Sequence, residues 1–252
     1  MLSVFRFIGR GLARYLGKPR PGVQTGIPPN PLLLLQSLRP GDVLLVEGST
    51  RFSSAIKYLT QSTWSHTAFF VGPALGGADK DGRAFLFIEA DVVQGVCKRP
   101  LEHYFGYHTR ICRPRNLQAE HCEQLITSLQ TKIGHQYDMR NVLDLARYLL
   151  PRPPVPQRWR RKIIALGSGD PTKAICSSLI AEAFQEIGYP VLPIITKERE
   201  NDPSQEAVVR EIFHIRHHST YAPRDFDVSP YFEIVKPTLA QGFDYRQINW
   251  KP

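Results

Sequence analysis

The stretch from Lys173 to Tyr189 constrains the fold of this chain more than any other. Its apolar residues recur at helical spacing, which predicts one buried helix face formed by Ile175, Leu179, Ile180, Ala183, Phe184 and Ile187. Gly188 followed by Pro190 indicates where this helix ends. Cys176 therefore falls in the first turn of a predicted buried helix.

The position of Cys176 in that turn allows two interpretations. Unpaired backbone N–H groups and the positive end of the helix dipole stabilise a thiolate, as a nucleophilic cysteine requires, and the same N–H groups can receive an oxyanion. Alternatively, Cys176 is a small apolar core residue, the more common role of a lone cysteine. The helix alone leaves both interpretations open.

Composition restricts the class of protein. The chain has 252 residues, of which 42% are hydrophobic and 10% aromatic, so it is long enough for a real core and reads as globular rather than disordered. It contains no run of about 18 apolar residues that could span a membrane. Four cysteines without a recognisable secretory leader indicate reduced thiols rather than a disulfide framework.

The net charge of +9 favours an anionic partner, such as a membrane surface or a cell-wall polymer. Much of this excess lies in residues 1–20 and in residues 152–162. A basic face over the whole domain is therefore not required, and no specific nucleic-acid partner is expected.

Residues 1–20 predict a basic amphipathic helix, with Arg6, Arg10 and Arg14 opposite an apolar side. These arginines interrupt the apolar core that a secretory signal needs. One interpretation is a helix lying on an anionic bilayer; the others are a helix docked on the protein itself or an organelle-type leader. We expect residues 1–31 to form this helix and a linker, and residues 32–252 to form one domain with a Pro/Arg-rich insertion at 151–173.

The domain should be α+β. Strands are predicted within 38–48, 64–72, 84–89, 95–98 and 109–115, with a further short strand near the end of the chain. Helices are predicted over 51–63, 117–134 and 136–150, with Ser49 or Thr50 capping the first. The expected architecture is an antiparallel sheet or barrel packed against the Cys176 helix.

His66 and Glu89 are the candidate partners of the thiol. A cysteine nucleophile needs an imidazole as base and acid, and a third group to orient the ring. If the two predicted strands pair antiparallel, Glu89 comes within reach of His66. The alternatives are a satisfied core histidine and a carboxylate held in a salt bridge.

Five motifs in order carry a resemblance: GDVLL (41–45), SHTAFFVG (65–72), FIEA (87–90), GHQYD (134–138) and ICSSLIAEAF (175–184). Together they resemble the permuted papain-fold cysteine hydrolases, in particular the YiiX/YebB group, relatives of NlpC-type peptidases and lecithin:retinol acyltransferase. The resemblance implies that Cys176 is the nucleophile, His66 the base and Glu89 the orienting residue. It places Tyr137 in the site wall and gives Asp138 a structural contact.

We also expect Trp64, Ser65 and Ser177, which flank the catalytic candidates, to contact substrate together with Tyr137. No cofactor is expected. No metal is expected either, because the candidate ligands do not show the paired spacing of a structural zinc site: Cys97, Cys112, Cys122, His103, His108 and His121.

The predicted function is a cysteine hydrolase or acyltransferase that acts on an amide, ester or thioester of a peptide or lipid through a thioester acyl-enzyme. The alternatives are a catalytically silent module that binds a membrane or a partner, and a cell-wall peptide amidase. Without a clear export signal, a cytoplasmic location is expected, with the inner face of the membrane as a site of peripheral association.

Overall fold

The sheet at the centre of the protein has six antiparallel strands. The computed structural model describes residues 18, 25–91, 94–135, 175–199, 209–214, 217, 220–240, 244 and 246. In chain order the strands of the sheet are β1 (Val43–Val46), β2 (His66–Phe70), β3 (Phe85–Asp91), β4 (Gly95–Pro100), β5 (Thr109–Pro114) and β8 (Phe232–Val235). Across the sheet they lie in the order β4-β3-β2-β1-β5-β8. The predicted α+β class is confirmed.

The sheet is open, with β4 and β8 at its two edges. The barrel that the sequence analysis allowed is therefore wrong, since β4 and β8 do not pair. Two further strands, β6 (Ile194–Arg199) and β7 (Val209–His214), form a separate antiparallel ribbon that the sequence pattern did not predict.

The described helices are α1 (Pro31–Ser37), α2 (Arg51–Thr60), α3 (Ala119–Thr131), α4 (Ile175–Glu186), α5 (Pro223–Asp227) and α6 (Pro237–Ala240). Thr50 caps α2 as predicted, because its hydroxyl accepts from the backbone N–H of Ser53. Helix α4 ends before Gly188, whose φ of 69° lies in the left-handed region that glycine adopts freely. None of the helices in the described part of the chain has the length and hydropathy of a membrane span.

Side-chain alternation along the strands buries both faces of the sheet. On one face, Val43, Leu45, Phe69 and Ile88 share a core with the inward residues of α3, α4 and α5. On the other face, the core contains Leu44, Val46, Ala68, Phe70, Phe87 and Ile111, together with Leu34 of α1 and Leu101. Helix α4 thus packs on one face, over β2 and β3.

Three predicted features lie outside the described residues. They are the amphipathic helix of residues 1–20 (only Lys18 is described), the helix over 136–150 that includes Tyr137 and Asp138, and the insertion at 151–173. The division into an N-terminal segment and one domain stays a prediction.

Candidate active site

His66 and Glu89 meet on one face of the sheet. Strands β2 and β3 pair with Ala68 opposite Glu89, so Glu89 lies diagonally across from His66, two residues along. The ring Nε2 of His66 lies 2.7 Å from Glu89 Oε2. The antiparallel pairing on which this prediction depended is therefore present.

Cys176 lies in the first turn of α4, where the beginning of the helix reaches the beginning of β2. Its side chain is buried, with the residue 5% exposed, and the thiol lies close enough to the His66 ring for each to shift the pKa of the other. Because Nε2 already faces Glu89, the other ring nitrogen, Nδ1, is the one left for the sulfur. The structure thus brings Cys176, His66 and Glu89 together in that order.

The electrostatics of this group favour a thiolate paired with an imidazolium. Burial by itself raises the pKa of the Cys176 thiol, but the neighbouring His66 ring, with a further contribution from the polar groups of Thr67, holds that pKa below its ordinary value. Burial likewise opposes a charged His66, yet Cys176 and Glu89 raise the pKa of the ring well above its ordinary value. Each partner stabilises the charge of the other.

Glu89 is held as a carboxylate by groups that the sequence analysis missed. Arg99 Nε lies 2.7 Å from its Oε1, and the Tyr104 hydroxyl donates to its Oε2 over 2.8 Å. Although burial raises the pKa of Glu89, His66 and Arg99 hold that pKa far below its ordinary value. Glu89 therefore forms the salt bridge of one interpretation and also contacts His66, while its orienting role in catalysis stays a prediction.

The register of the sheet explains why Arg99 and Tyr104 occupy these positions. Strands β3 and β4 pair with Glu89 opposite Cys97, which places Arg99 diagonally from Glu89 on the same face. Tyr104 ends a short 3-10 turn, Leu101–Tyr104, that follows β4 and folds onto this face. A buried carboxylate needs a cationic partner, and that requirement was the available signal for Arg99.

The surroundings of the other three cysteines disfavour the thiolate. Burial raises the pKa of Cys97 to about 12, and it also raises the pKa of Cys112 and Cys122. All four thiols are free of disulfides. Cys176 is thus the one cysteine of the four whose surroundings favour the thiolate.

The side chains expected to contact substrate are engaged within the protein. Ser65 Oγ accepts from the backbone N–H of Gly48 over 2.9 Å, and the Ser177 hydroxyl donates to the carbonyl of Tyr221 over 2.6 Å. Both are buried, and these bonds fix the segments that carry His66 and Cys176. Tyr137 lies outside the described residues, and contact of any of them with substrate stays a prediction.

The side chain of Trp64 is buried and lines one wall of a cavity of about 230 Å³. Its indole N–H donates to Asp227 over 2.9 Å, and the Arg110 guanidinium lies 4.9 Å from the ring centroid. Arg110 also pairs with Asp227 at 2.6 Å, and Arg224 lines the same cavity. Trp64, the fourth residue predicted to contact substrate, therefore lies in the wall of this cavity.

No group of three or more His, Cys, Asp or Glu residues within the described ranges is placed to hold a metal ion. No family model matches the chain. Among solved structures it is similar to one titled as the metalloprotein yiiX from Escherichia coli O157:H7, at 15% identity and a TM-score of 0.45, over 79% of this chain and 97% of that one. Likeness at this level establishes neither fold nor function for the present chain.

Proposed function

We propose that the protein is a cysteine-nucleophile hydrolase or acyltransferase that uses Cys176, His66 and Glu89. The observation that carries this proposal is the chain of contacts from the thiol to the imidazole and on to a buried carboxylate 2.7 Å from the ring. A nucleophile, a base and an orienting group in that order are the parts that covalent acyl transfer requires.

The first half-reaction forms a thioester. The Cys176 thiolate attacks the acyl carbon of an amide, ester or thioester, and the carbonyl π electrons move to oxygen. Backbone N–H groups in the first turn of α4 donate to this oxyanion, a contribution of roughly 3 kcal/mol for each such donor. The oxyanion then collapses, the bond to the leaving group breaks, and the His66 imidazolium gives its proton to that group.

The second half-reaction releases the acyl group. Neutral His66 takes a proton from water or another acceptor, which attacks the thioester carbon and displaces the Cys176 thiolate. Water as acceptor makes the protein a hydrolase, and an alcohol or amine makes it a transferase. Glu89 keeps the ring oriented and stabilises its charged form throughout.

The same residues support a permuted papain-like arrangement within one domain over residues 32–252. In chain order the histidine strand β2 comes first, the carboxylate strand β3 follows, and the cysteine helix α4 comes later. The packing of the first turn of α4 against the beginning of β2 is what such a fold needs in order to join thiol and imidazole. The open sheet gives this arrangement without a barrel.

The proposed substrate class is an acyl compound of a peptide or a lipid, met at an anionic membrane surface on the cytoplasmic side. The support is the net charge of +9 and the basic sequence of residues 1–20. Co-sedimentation with anionic vesicles tests this part: the full chain should pellet and a chain lacking residues 1–20 should not. Equal pelleting of the two removes the membrane from the proposal.

Trapping the acyl-enzyme tests the chemistry. The protein is mixed with an activated acyl ester, quenched in acid, digested and analysed by mass spectrometry. The acyl mass should appear on the peptide that contains Cys176 in the wild type and in Cys122→Ser, and should be absent in Cys176→Ser. No acyl mass at Cys176 with activated esters of short and long acyl groups favours the silent binding module instead.

A further inference from the structure

The hydroxyl of Thr67 is a buried polar group without a conventional partner. Thr67 follows His66 in β2 and is 0% exposed, and its Oγ1 has no hydrogen bond of ordinary geometry. Within the described residues the same is true of one other threonine, Thr109 in β5. A buried hydroxyl that gains no hydrogen bond on folding is destabilising, so its presence needs a reason.

The sulfur of Cys176 supplies that reason. The Thr67 side chain and the Thr67 backbone N–H both act on Cys176, and both lower the pKa of its thiol. Thr67 pairs with Leu45 of β1, whose side chain lies on the face of the sheet that α4 covers, and Cys176 is buried in the core on that same face. The charged groups around this point are His66 on β2, Glu89 on β3, Arg99 on β4 and His103, which lies 3.9 Å from Glu89.

A neutral thiol and a thiolate differ in strength as hydrogen-bond acceptors for the Thr67 hydroxyl. The neutral thiol is a weak acceptor, so the Thr67 hydroxyl stays poorly satisfied when the proton is on sulfur. A thiolate is a strong acceptor, and a hydrogen bond to a charged group is worth more than one between neutral groups. Transfer of the proton to His66 therefore gives the buried hydroxyl the partner that it lacks.

We propose that the Thr67 hydroxyl is a dedicated donor to the ionised sulfur of Cys176 and sets the fraction of the protein that holds a reactive thiolate. No bond is made or broken by Thr67 itself, which only donates its O–H to the sulfur. A role for Thr67 in catalysis rests on the proposed function, in which the sulfur of Cys176 is the reacting atom. As a statement about ionisation it can be measured without any substrate.

The test is the pH dependence of alkylation by iodoacetamide, measured at Cys176 alone by digestion and mass spectrometry. Thr67→Val keeps the shape of the side chain and removes the donor. Its alkylation midpoint should rise by about one pH unit, with a roughly tenfold slower reaction below the wild-type midpoint. Thr67→Ser keeps the donor and should follow the wild type.

Thr109→Val is the matched control, because it removes the other unpartnered buried hydroxyl of the same sheet. It should leave the Cys176 profile unchanged. Neither valine variant should unfold at a lower temperature than the wild type, since each removes a buried polar group that has no conventional partner. If Thr67→Val does not fold, the difference between Thr67→Ser and Thr67→Ala isolates the hydroxyl.

Two results overturn the proposal and are distinguishable from each other. A low midpoint in the wild type with the same midpoint in Thr67→Val shows that the hydroxyl does not act on the sulfur, and it leaves the proposed function standing. An ordinary thiol midpoint in the wild type itself overturns the proposed function and removes the thiolate that Thr67 is proposed to stabilise.

Discussion

Glu89 and His66 are joined by a contact of 2.7 Å between Oε2 and Nε2, although they are separated by 23 positions in the chain and the carboxylate is only 2% exposed. The contact depends on the diagonal relation between β2 and β3. It places a fixed negative charge beside an imidazole that also faces a thiol. Together with Cys176, this charge raises the pKa of the His66 ring above its ordinary value against the effect of burial.

Glu89→Gln removes that charge and keeps the shape of the side chain. The pKa of His66 should fall and that of Cys176 should rise, because each is shifted by the charge of its neighbour. Alkylation of Cys176 near neutral pH should slow by at least about tenfold. The variant also removes the anionic group nearest to the buried Arg99, which keeps only the contact with Asp91 at 3.9 Å, so a loss of about 3 kcal/mol in the free energy of unfolding is expected.

Glu47→Gln is the matched control for this experiment. Glu47 is also a buried carboxylate, 3.0 Å from the ring of His108 and 3.2 Å from Lys57. Its replacement should destabilise the fold without slowing alkylation at Cys176. Equal slowing in the two variants would show that general destabilisation, and not the charge on Glu89, controls the thiol.

Tyr104→Phe tests the second donor to Glu89. Loss of the 2.8 Å bond should lower the free energy of unfolding by about 2 kcal/mol, because the acceptor is charged and buried. Alkylation at Cys176 should slow less than in Glu89→Gln, since Arg99 still holds the carboxylate. The control is Tyr189→Phe, whose hydroxyl bonds backbone carbonyls away from the site and whose loss should not affect the thiol. A Tyr104→Phe variant as slow as Glu89→Gln would contradict this ranking.

The free energy of unfolding should fall at acidic pH because Glu89 becomes protonated more easily in the unfolded chain than in the folded one. Its folded pKa lies far below the ordinary value of 4.5, so its contribution is complete above that value and is lost as the pH falls toward the folded pKa. In that window the unfolded chain binds one proton more than the folded chain. The free energy of unfolding should therefore fall by up to about 1.4 kcal/mol per pH unit from this group.

Urea unfolding of the wild type and Glu89→Gln between about pH 5 and about pH 3 measures this contribution. As the pH falls, the free energy of unfolding should decrease more steeply for the wild type than for Glu89→Gln, and nearer neutral pH the two should change in parallel. Parallel curves over the whole range would mean that Glu89 is not held as a carboxylate by its neighbours.

Arg113→Ala should weaken the fold and leave the site intact. Arg113 donates to the 1% exposed Asp42 through Nε and Nη2, at 2.9 and 2.7 Å, and to the carbonyl of Ser37. Removing it leaves a buried carboxylate without its cation, which should reduce the free energy of unfolding by about 3 kcal/mol. Arg83→Ala, which breaks a pair with Asp79 on the surface, should reduce it by less than about 1 kcal/mol. Equal losses would contradict this assignment.

Local patterns predicted those parts of the fold that repeat along the chain. Apolar periodicity predicted α4 and placed Cys176 in its first turn, and a hydroxyl before an apolar run predicted the Thr50 cap. The antiparallel pairing of β2 and β3 followed from two short apolar runs separated by a loop rich in glycine and aspartate. These features depend on residues that are close together in the sequence, so the sequence alone predicts them.

Partners that depend on register could not be predicted in the same way. Arg99 reaches Glu89 because β3 and β4 pair with Glu89 opposite Cys97, and Tyr104 reaches it through a 3-10 turn. The ribbon of β6 and β7 pairs with no other strand in the described part of the chain, and its sequence lacks the strong alternation of a strand packed on a core. Helix α1 was missed because four consecutive leucines show no helical period.

The pairing of the Cys176 thiol with the His66 imidazole is tested most directly by the rate of alkylation at each cysteine as a function of pH, in the wild type and in His66→Gln. Cys176 should react fastest near neutral pH despite being buried, with a midpoint below that of an ordinary thiol at about 8.5, and His66→Gln should abolish this advantage. A Cys176 that reacts no faster than Cys97 or Cys122, or that is unaffected by the loss of His66, would contradict it.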